Sequence, residues 1–420
     1  MNAAKKMQGE LAQHIWLKDA DAQVILAALA SEGGEARFVG GCVRNALMGE
    51  PVADIDIAAT ERPERVIALL DARGIKTVPT GLAHGTVTAV MGGKTFEITT
   101  LRIDLATDGR HAEVAFGTDW TRDAERRDFT INALYAEADG TVHDPLGTGR
   151  ADIAARRVRF IGDAGNRIRE DYLRILRFFR FHAHYGRGEA DETALRACAA
   201  AKEGLLTLSA ERVRDELLRI LAADEAVATL RLMAAAGILQ LVLPEAARMD
   251  RLETLADIEA NQLFTSDPVL RLAALLDSGA VGVNALADRL KLSNKDRARI
   301  VAMLTDTTKI VCYLSMREVR RALYRLGRDL FKDRVMLGWA GDARNHNAFQ
   351  WRALIAMADN WERPVFPLTG AMIMAASVPE GPEVGRISDE VEEWWIDSDF
   401  IEDEFSIIER LKAIVQATIY

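Results

Sequence analysis

Phe38-Val39-Gly40-Gly41-Cys42-Val43-Arg44, followed ten residues later by Asp54-Ile55-Asp56-Ile57, is the stretch from which the rest of the chain is read. An apolar extended run ends at Val39, and two adjacent glycines turn the backbone into a helix with no Cβ in the way. N–H groups at such a helix start can approach a phosphate closely, and Arg44, one turn further on, adds positive charge there. Period-2 alternation puts the carboxylates of Asp54 and Asp56 on one strand face and the isoleucines on the core face. Paired carboxylates on a rigid strand suit Mg²⁺, which prefers hard oxygen ligands. Asp-x-Asp alone is weak support for a metal; the Gly-Gly-x-x-Arg step just upstream strengthens it.

Around this stretch strand and helix signals mix. Residues 64–73 have helical spacing, and two β-rich apolar runs, 86–91 and 95–101, flank Gly92-Gly93, which predicts a hairpin. Glu97 sits between Phe96 and Ile98 on the second run, so it faces away from their core side. It is either a third carboxylate of the site or an ordinary exposed glutamate. From about Val158 onward the chain is Ala, Leu, Arg and Glu at helical spacing. The expected class is α+β, a small mixed head followed by an all-helical remainder.

At 420 residues the chain is long enough for two to four domains, and 49% hydrophobic with 28% charged residues excludes a disordered or fibrous chain. No run of about 18 apolar residues occurs, and the N-terminus lacks a signal-peptide core, so no membrane association and a cytoplasmic location are expected. Cys42, Cys198 and Cys312 lie far apart, without metal-ligand spacing, and read as reduced structural residues. The net charge of −10 argues against nonspecific coating of nucleic acid. That excess is local: ten carboxylates and no Lys or Arg lie between residues 387 and 409. Conversely, residues 156–187 hold nine arginines against Asp163, Glu170 and Asp171. A phosphate-rich ligand or a solvated helix face would each account for that stretch.

Two further motifs carry chemistry. In Arg126-Arg127-Asp128-Phe129-Thr130-Ile131-Asn132, adjacent arginines suit a triphosphate or ribose contact, or simply start a helix. In Glu170-Asp171-Tyr172-Leu173-Arg174-Ile175-Leu176-Arg177-Phe178-Phe179-Arg180, one continuous helix would align Asp171, Arg174 and Arg177 on a ridge separate from Leu173, Leu176 and Phe179. A carboxylate accepting from an exocyclic amino group beside a guanidinium donating to a ring acceptor matches cytosine and adenine and rejects uracil and guanine. An intrahelical salt bridge is the plainer alternative.

Taken in order, Gly-Gly-x-Val-Arg, Asp-x-Asp, Arg-Arg-Asp-Phe-Thr-Ile-Asn-Ala-Leu, Asp-Pro-Leu-Gly-Thr-Gly-Arg-Ala-Asp-Ile, Glu-Asp-x-Leu-Arg-x-Leu-Arg and Glu211-Arg212-Val213-Arg214-Asp215-Glu216-Leu217 resemble the class II tRNA nucleotidyltransferases. These CCA-adding enzymes share a polymerase-β-like head with bacterial poly(A) polymerases. The resemblance implies a catalytic head over 1–145, a base-recognising neck over 146–220, a helical body over 221–335 and a tRNA-binding tail over 336–420. It implies Asp54 and Asp56 as ligands of catalytic Mg²⁺; Glu97, from its place on the second hairpin strand, is the candidate third catalytic carboxylate. The resemblance further implies Gly40, Gly41, Arg44 and Arg127 at the phosphates or ribose, Asp171 and Arg174 at the base edge, and Arg177 and Arg180 in support. The substrates would be CTP, ATP and the acceptor arm and 3′ end of tRNA, with no protein partner required. Residues 102–104 and 108–111 resemble the loop associated with the final A addition, and the basic residues of 317–334 are candidate tRNA contacts. A poly(A) polymerase, a partial CC- or A-adding enzyme and a noncatalytic RNA-binding protein are the alternatives. Asn45 departs from the family's usual Arg-Asp step, and the chain lacks the His-Asp pair of a C-terminal phosphohydrolase domain.

Overall fold

The computed structural model describes residues 11–107, 112–342 and 347–419. The chain divides into two units, Met1–Pro244 and Glu245–Tyr420.

The first unit opens with a twisted sheet. Strands β1 (Ala36–Val39), β2 (Asp56–Ala59), β3 (Lys76–Gly81), β4 (Thr86–Met91), β5 (Lys94–Thr100), β8 (Tyr135–Ala136) and β9 (Val142–His143) lie in the order β3-β4-β5-β2-β1-β8-β9. Strands β6 (Arg102–Thr107) and β7 (Ala112–Phe116) form a separate antiparallel pair. Residues 108–111, expected to belong to the A-addition loop, lie outside the described residues. The Gly92-Gly93 hairpin is present: both glycines have positive φ, +57° and +76°, the geometry a two-residue turn between twisted strands requires. β2 and β5 run parallel, with Asp56 opposite Glu97.

Four helices of this unit build the site: α1 (Gly41–Met48), α2 (Trp120–Glu125), α3 (Ala164–Glu170) and α4 (Leu173–Tyr185). A fifth, α5 (Ala210–Ala222), packs beside α4. Leu173, Leu176 and Phe179 of α4 are buried, as the apolar row predicts. Phe129 joins the sheet region to these helices, with ring centroids 4.9 Å from Phe160 and 5.1 Å from Phe181. Large aromatic surfaces on both sides of that junction contribute hydrophobic burial and hold the elements in one register.

The second unit is helical throughout its described residues, apart from one isolated bridge, Ala246 to Leu276. Helix α6 (Met316–Leu326) starts at a reciprocal cap between Ser315 and Glu318. Its apolar side meets helix α7 (Pro382–Asp397) in a core that includes Tyr324, Val391 and Trp395. Part of the basic stretch expected to contact tRNA is paired with the acidic one, and part with carboxylates elsewhere in this unit. Arg320 pairs with Asp399, Arg321 with Asp397, Arg325 with Glu393, Lys332 with Asp359 and Arg334 with Asp306. Part of the acidic run thus neutralises α6. Local spacing does not reveal the three pairs with the acidic run, because those partners lie 68 to 79 positions apart.

Candidate active site

Asp56 opens β2, half-buried, with the exposed Glu97 beside it on β5. Asp54 is exposed and lies two residues before the strand, so the expectation that both aspartates sit on one strand face is corrected. Pro51 and the residues after it carry the chain irregularly up to β2, and pairing with β1 begins only at Ile57. Burial, followed by the charge of Glu97, pushes the Asp56 carboxyl up to about 6, with Asp54 adding to the repulsion. Such mutual repulsion among hard oxygen donors is what a divalent cation relieves. Among the described residues no group of three or more His, Cys, Asp or Glu could by itself hold a metal. Asp56 with Asp54 nearby offers hard oxygen donors, and a divalent ion that takes one or two carboxylates would complete its shell with water and substrate phosphates. The donor set therefore fits the ion.

Next to the carboxylates lie the glycine turn that starts α1 and two guanidinium groups, those of Arg44 and Arg127. Gly40 has φ +71° and ψ −118°, a conformation other residues rarely adopt, and its carbonyl accepts the Arg44 N–H at the start of α1. Arg44 is 7% exposed. Its guanidinium donates to Asn132 Oδ1 at 2.5 Å, to Asn45 Oδ1 at 2.8 and 3.1 Å, and to Tyr185 Oη at 2.8 Å. Asn45, the departure from the family pattern, still braces Arg44. Arg127 donates to Asp123 at 3.0 and 3.3 Å and to Tyr135 Oη at 3.3 Å. Burial works against its charge, yet Tyr135 and Asp123 outweigh that and hold it above the usual arginine range.

The expected single helix for the base-reading row is broken. α3 ends at Glu170, and Asp171 is extended, with φ −156° and ψ 108°. Its Oδ1 accepts the Leu173 N–H at 3.1 Å and starts α4, while Oδ2 accepts from Arg212 of α5 at 2.7 Å. Arg174 bonds to Glu170 and to the Arg167 carbonyl, so the Asp171–Arg174 pair is not an intrahelical salt bridge. The two bonds to Asp171 use two of the roughly four lone-pair sites of its carboxylate. Arg177 donates twice to Asp128 Oδ2, at 2.8 and 2.5 Å, and Asp128 in turn accepts from Asn132 at 3.0 Å. Burial opposes ionisation of Asp128, but the Arg177 guanidinium and these hydrogen bonds hold its carboxyl down at about 2.

One cavity of about 430 Å³ collects most of these groups. Gly40, Gly41, Arg44, Arg127, Asp171, Arg174 and Arg177 line it, together with Asp56, Asp128, Asn132 and Arg212. Asp54, Glu97 and Arg180 do not. Arg180 is instead ion-paired with buried Glu216 at 3.0 Å, and burial, against the pull of Glu216, brings it down to about 10. A larger depression of about 720 Å³ around His182 and Thr229 has a mixed-charge lining and none of the carboxylates on the sheet. Size alone does not mark the site; converging charge does. Asp123 and Tyr185 went unnoticed in the sequence. The spacing Asp123, Arg126, Arg127 was a legible signal for the first, since i+3 and i+4 partners meet on a helix. For Tyr185 the signal was its place eight residues after Arg177, on the same face of α4.

Comparison with known proteins adds the family. Residues 36–159 match the poly A polymerase head domain, and residues 190–249 match the probable RNA and SrmB-binding site of polymerase A. The chain is 33% identical to CCA tRNA nucleotidyltransferase 1, mitochondrial, of Mus musculus, over 91% of this chain and 88% of the relative. It is 32% identical to the CCA-adding enzyme of Leuconostoc citreum, covering 94% and 96%. The crystal structure of the Bacillus stearothermophilus CCA-adding enzyme in complex with CTP superposes with a TM-score of 0.74 and 26% identity, over 95% of this chain and 98% of that one. Enzymes of this kind need a divalent metal, which the carboxylate set described above accommodates. The head, the arginine-lined cavity and the extent of these likenesses together establish that the chain belongs to the CCA-adding tRNA nucleotidyltransferase family.

Proposed function

We propose that this chain adds CCA to the 3′ end of tRNA from CTP and ATP, without a template, releasing pyrophosphate at each step. The observation that carries the reading is the juxtaposition, in one cavity, of Asp56 with the guanidinium groups of Arg44, Arg127, Arg174 and Arg177. The tRNA 3′-oxygen attacks the α-phosphorus, a P–O bond forms, and the α–β bridging P–O bond breaks as pyrophosphate leaves. Mg²⁺ held by Asp54 and Asp56 would lower the pKa of the attacking hydroxyl and offset the triphosphate charge. Gly40 and Gly41 admit the phosphates to the start of α1, and Arg44 and Arg127 supply fixed positive charge beside them. Glu97 adds negative charge beside Asp56 from the neighbouring strand.

Base choice falls to Asp171 and Arg174. The Asp171 carboxylate, oriented by Arg212, accepts the amino group of cytosine or adenine, and Arg174 donates to the adjacent ring nitrogen. Arg177 fixes the wall between them and the phosphates, and Arg180 steadies α4 against α5 through Glu216. The same reading assigns residues 1–145 to catalysis, 146–220 to base recognition, 221–335 to the body and 336–420 to the tRNA-binding tail. Acceptor-arm recognition would rest on shape and backbone, because side chains cannot read the deep groove of an RNA duplex.

Poly(A) synthesis is not favoured, since the relatives matched over most of their length are CCA-adding enzymes. No helix of the described residues is long and apolar enough to cross a membrane. The cytoplasmic placement is supported by the three cysteines, which are free and buried. A tRNA ending in CC, offered each nucleoside triphosphate separately, tests the selectivity: a single A should be added from ATP, and efficient addition from UTP or GTP would overturn the Asp171–Arg174 assignment.

A further inference from the structure

Arg177 and Tyr185 are eight residues apart on α4, about 12 Å along the helix axis. A continuous run of contacts leaves the helix at Arg177, passes through Asp128, Asn132 and Arg44, and returns to the same helix at Tyr185. The Tyr185 hydroxyl accepts from Arg44 Nη2 at 2.8 Å, and the Arg44 guanidinium carbon lies 4.0 Å from the centre of the Tyr185 ring. Tyr185 thus grips the cation through its edge and its face at once. It does not itself line the cavity, whereas Arg44 does. A Cβ added at Gly41 would lie 3.7 Å from Arg44 Nη2, which puts that nitrogen against the backbone of the glycine turn.

The donor count sharpens the point. A guanidinium has five N–H groups in a rigid plane. Four are engaged inside the protein: Nε and one Nη2 hydrogen with Asn45, the other Nη2 hydrogen with Tyr185, and one Nη1 hydrogen with Asn132. One Nη1 hydrogen and the net charge are left to act on a ligand. Which way that hydrogen points is set by the plane of the guanidinium, and Tyr185 is the only one of these partners that also packs against the plane.

We propose that Tyr185 is a positioning residue for the phosphate end of the nucleotide site, acting through Arg44. The inference rests on the cavity being the nucleotide site, as argued above. Phosphates are common to all nucleoside triphosphates, so Tyr185 should contribute equally to CTP and ATP binding and not to the choice between them. Asp171 and Arg174 act on the base and should do the reverse.

The test is equilibrium binding of CTP, ATP, inorganic triphosphate and cytidine, in Mg²⁺, to the full chain and to its Tyr185→Phe and Tyr185→Leu variants. Phe keeps the ring and removes the hydroxyl; Leu removes both. Losing a hydrogen bond to a charged group should raise Kd by about tenfold in Tyr185→Phe, and more in Tyr185→Leu, for CTP, ATP and triphosphate alike. Cytidine binding should not change, and steady-state kinetics should show raised KM for both nucleotides at nearly constant kcat. Unchanged Kd values in both variants would overturn the proposal, as would weakening confined to one nucleotide or a loss of thermal stability without a change in KM. Failure of the unmodified chain to bind CTP, ATP or triphosphate would overturn both the site reading and this proposal; normal binding by the unmodified chain with variant-insensitive Kd would overturn this proposal alone.

Discussion

Asp56 and Glu97 stand opposite each other across the parallel pair of strands β2 and β5, so the sheet itself sets two carboxylates side by side. Burial and the Glu97 charge bring the Asp56 carboxyl from 3.8 to about 6. A carboxyl raised by folding binds its proton more tightly in the folded state, so its contribution to stability declines as pH rises from about 3.8 through about 6. In metal-free protein, the difference in stability between the unmodified chain and Asp56→Asn should follow that slope. Melting curves at intervals between pH 4 and 7, with chelator and then with excess Mg²⁺, check it. The ion should flatten the slope, and an identical pH profile in Asp56→Asn would contradict the assignment.

The same pair bears on activity. Asp54→Asn and Asp56→Asn should each reduce nucleotide incorporation by at least about 10²-fold, the order expected when charge stabilisation of a transition state is lost. Glu97→Gln should act more weakly, because Glu97 acts on the charge of Asp56 and is not one of the two residues assigned to hold the ion. Single-turnover extension assays at saturating Mg²⁺ separate these effects from simple loss of metal affinity.

Asp128 and Arg177 form a partly buried pair joined by two hydrogen bonds. Removing one partner leaves the other charge uncompensated, so Arg177→Ala should destabilise the first unit by about 3 kcal/mol, measured by urea unfolding. Asp128 is held down at about 2, so the stability it contributes is present above about 3.8 and is lost as pH falls through about 2. Arg177→Ala should therefore lose part of the acid-side slope as well as overall stability.

The Asp171 carboxylate is held at one oxygen by the Leu173 N–H and at the other by Arg212. Asp171→Ala should lower the preference for CTP over UTP by about 1–3 kcal/mol, the value of a well-placed base contact. Arg212→Ala should reduce the same preference by less, since it frees the carboxylate without removing it. Competition between labelled CTP and UTP on one tRNA primer reads both.

In the second unit, Arg320, Arg321 and Arg325 are already neutralised by Asp399, Asp397 and Glu393. Reversing Arg321 to Glu should leave the salt dependence of tRNA binding unchanged, and the exposed pair itself should contribute under about 1 kcal/mol. Neutralising the three carboxylates together should steepen the salt dependence, by about 0.9 in logarithmic slope for each freed guanidinium that reaches a phosphate. Filter binding across a salt series distinguishes the two.

The α+β class, the Gly-Gly hairpin and eight of the cavity's residues were legible in the sequence because each is written in local spacing or in an ordered motif. What escaped was long-range. The strand at Asp54-Ile55-Asp56 starts later than alternation suggests, because pairing with β1 begins only at Ile57. The helix expected across Glu170 to Arg180 breaks at Asp171, whose side chain caps the next helix and takes a partner 41 residues away. Periodicity cannot reveal a break that a tertiary hydrogen bond stabilises. Three of the basic residues expected to contact tRNA are paired with the acidic run of the same unit, a match that no local spacing records.

The most direct test of the central claim uses purified chain, Mg²⁺ and a tRNA transcript lacking CCA, with products resolved to single nucleotides. CTP alone should give two additions, ATP alone none, and both together three, ending in CCA. Long A tails from ATP, or no extension under any condition, would contradict the account.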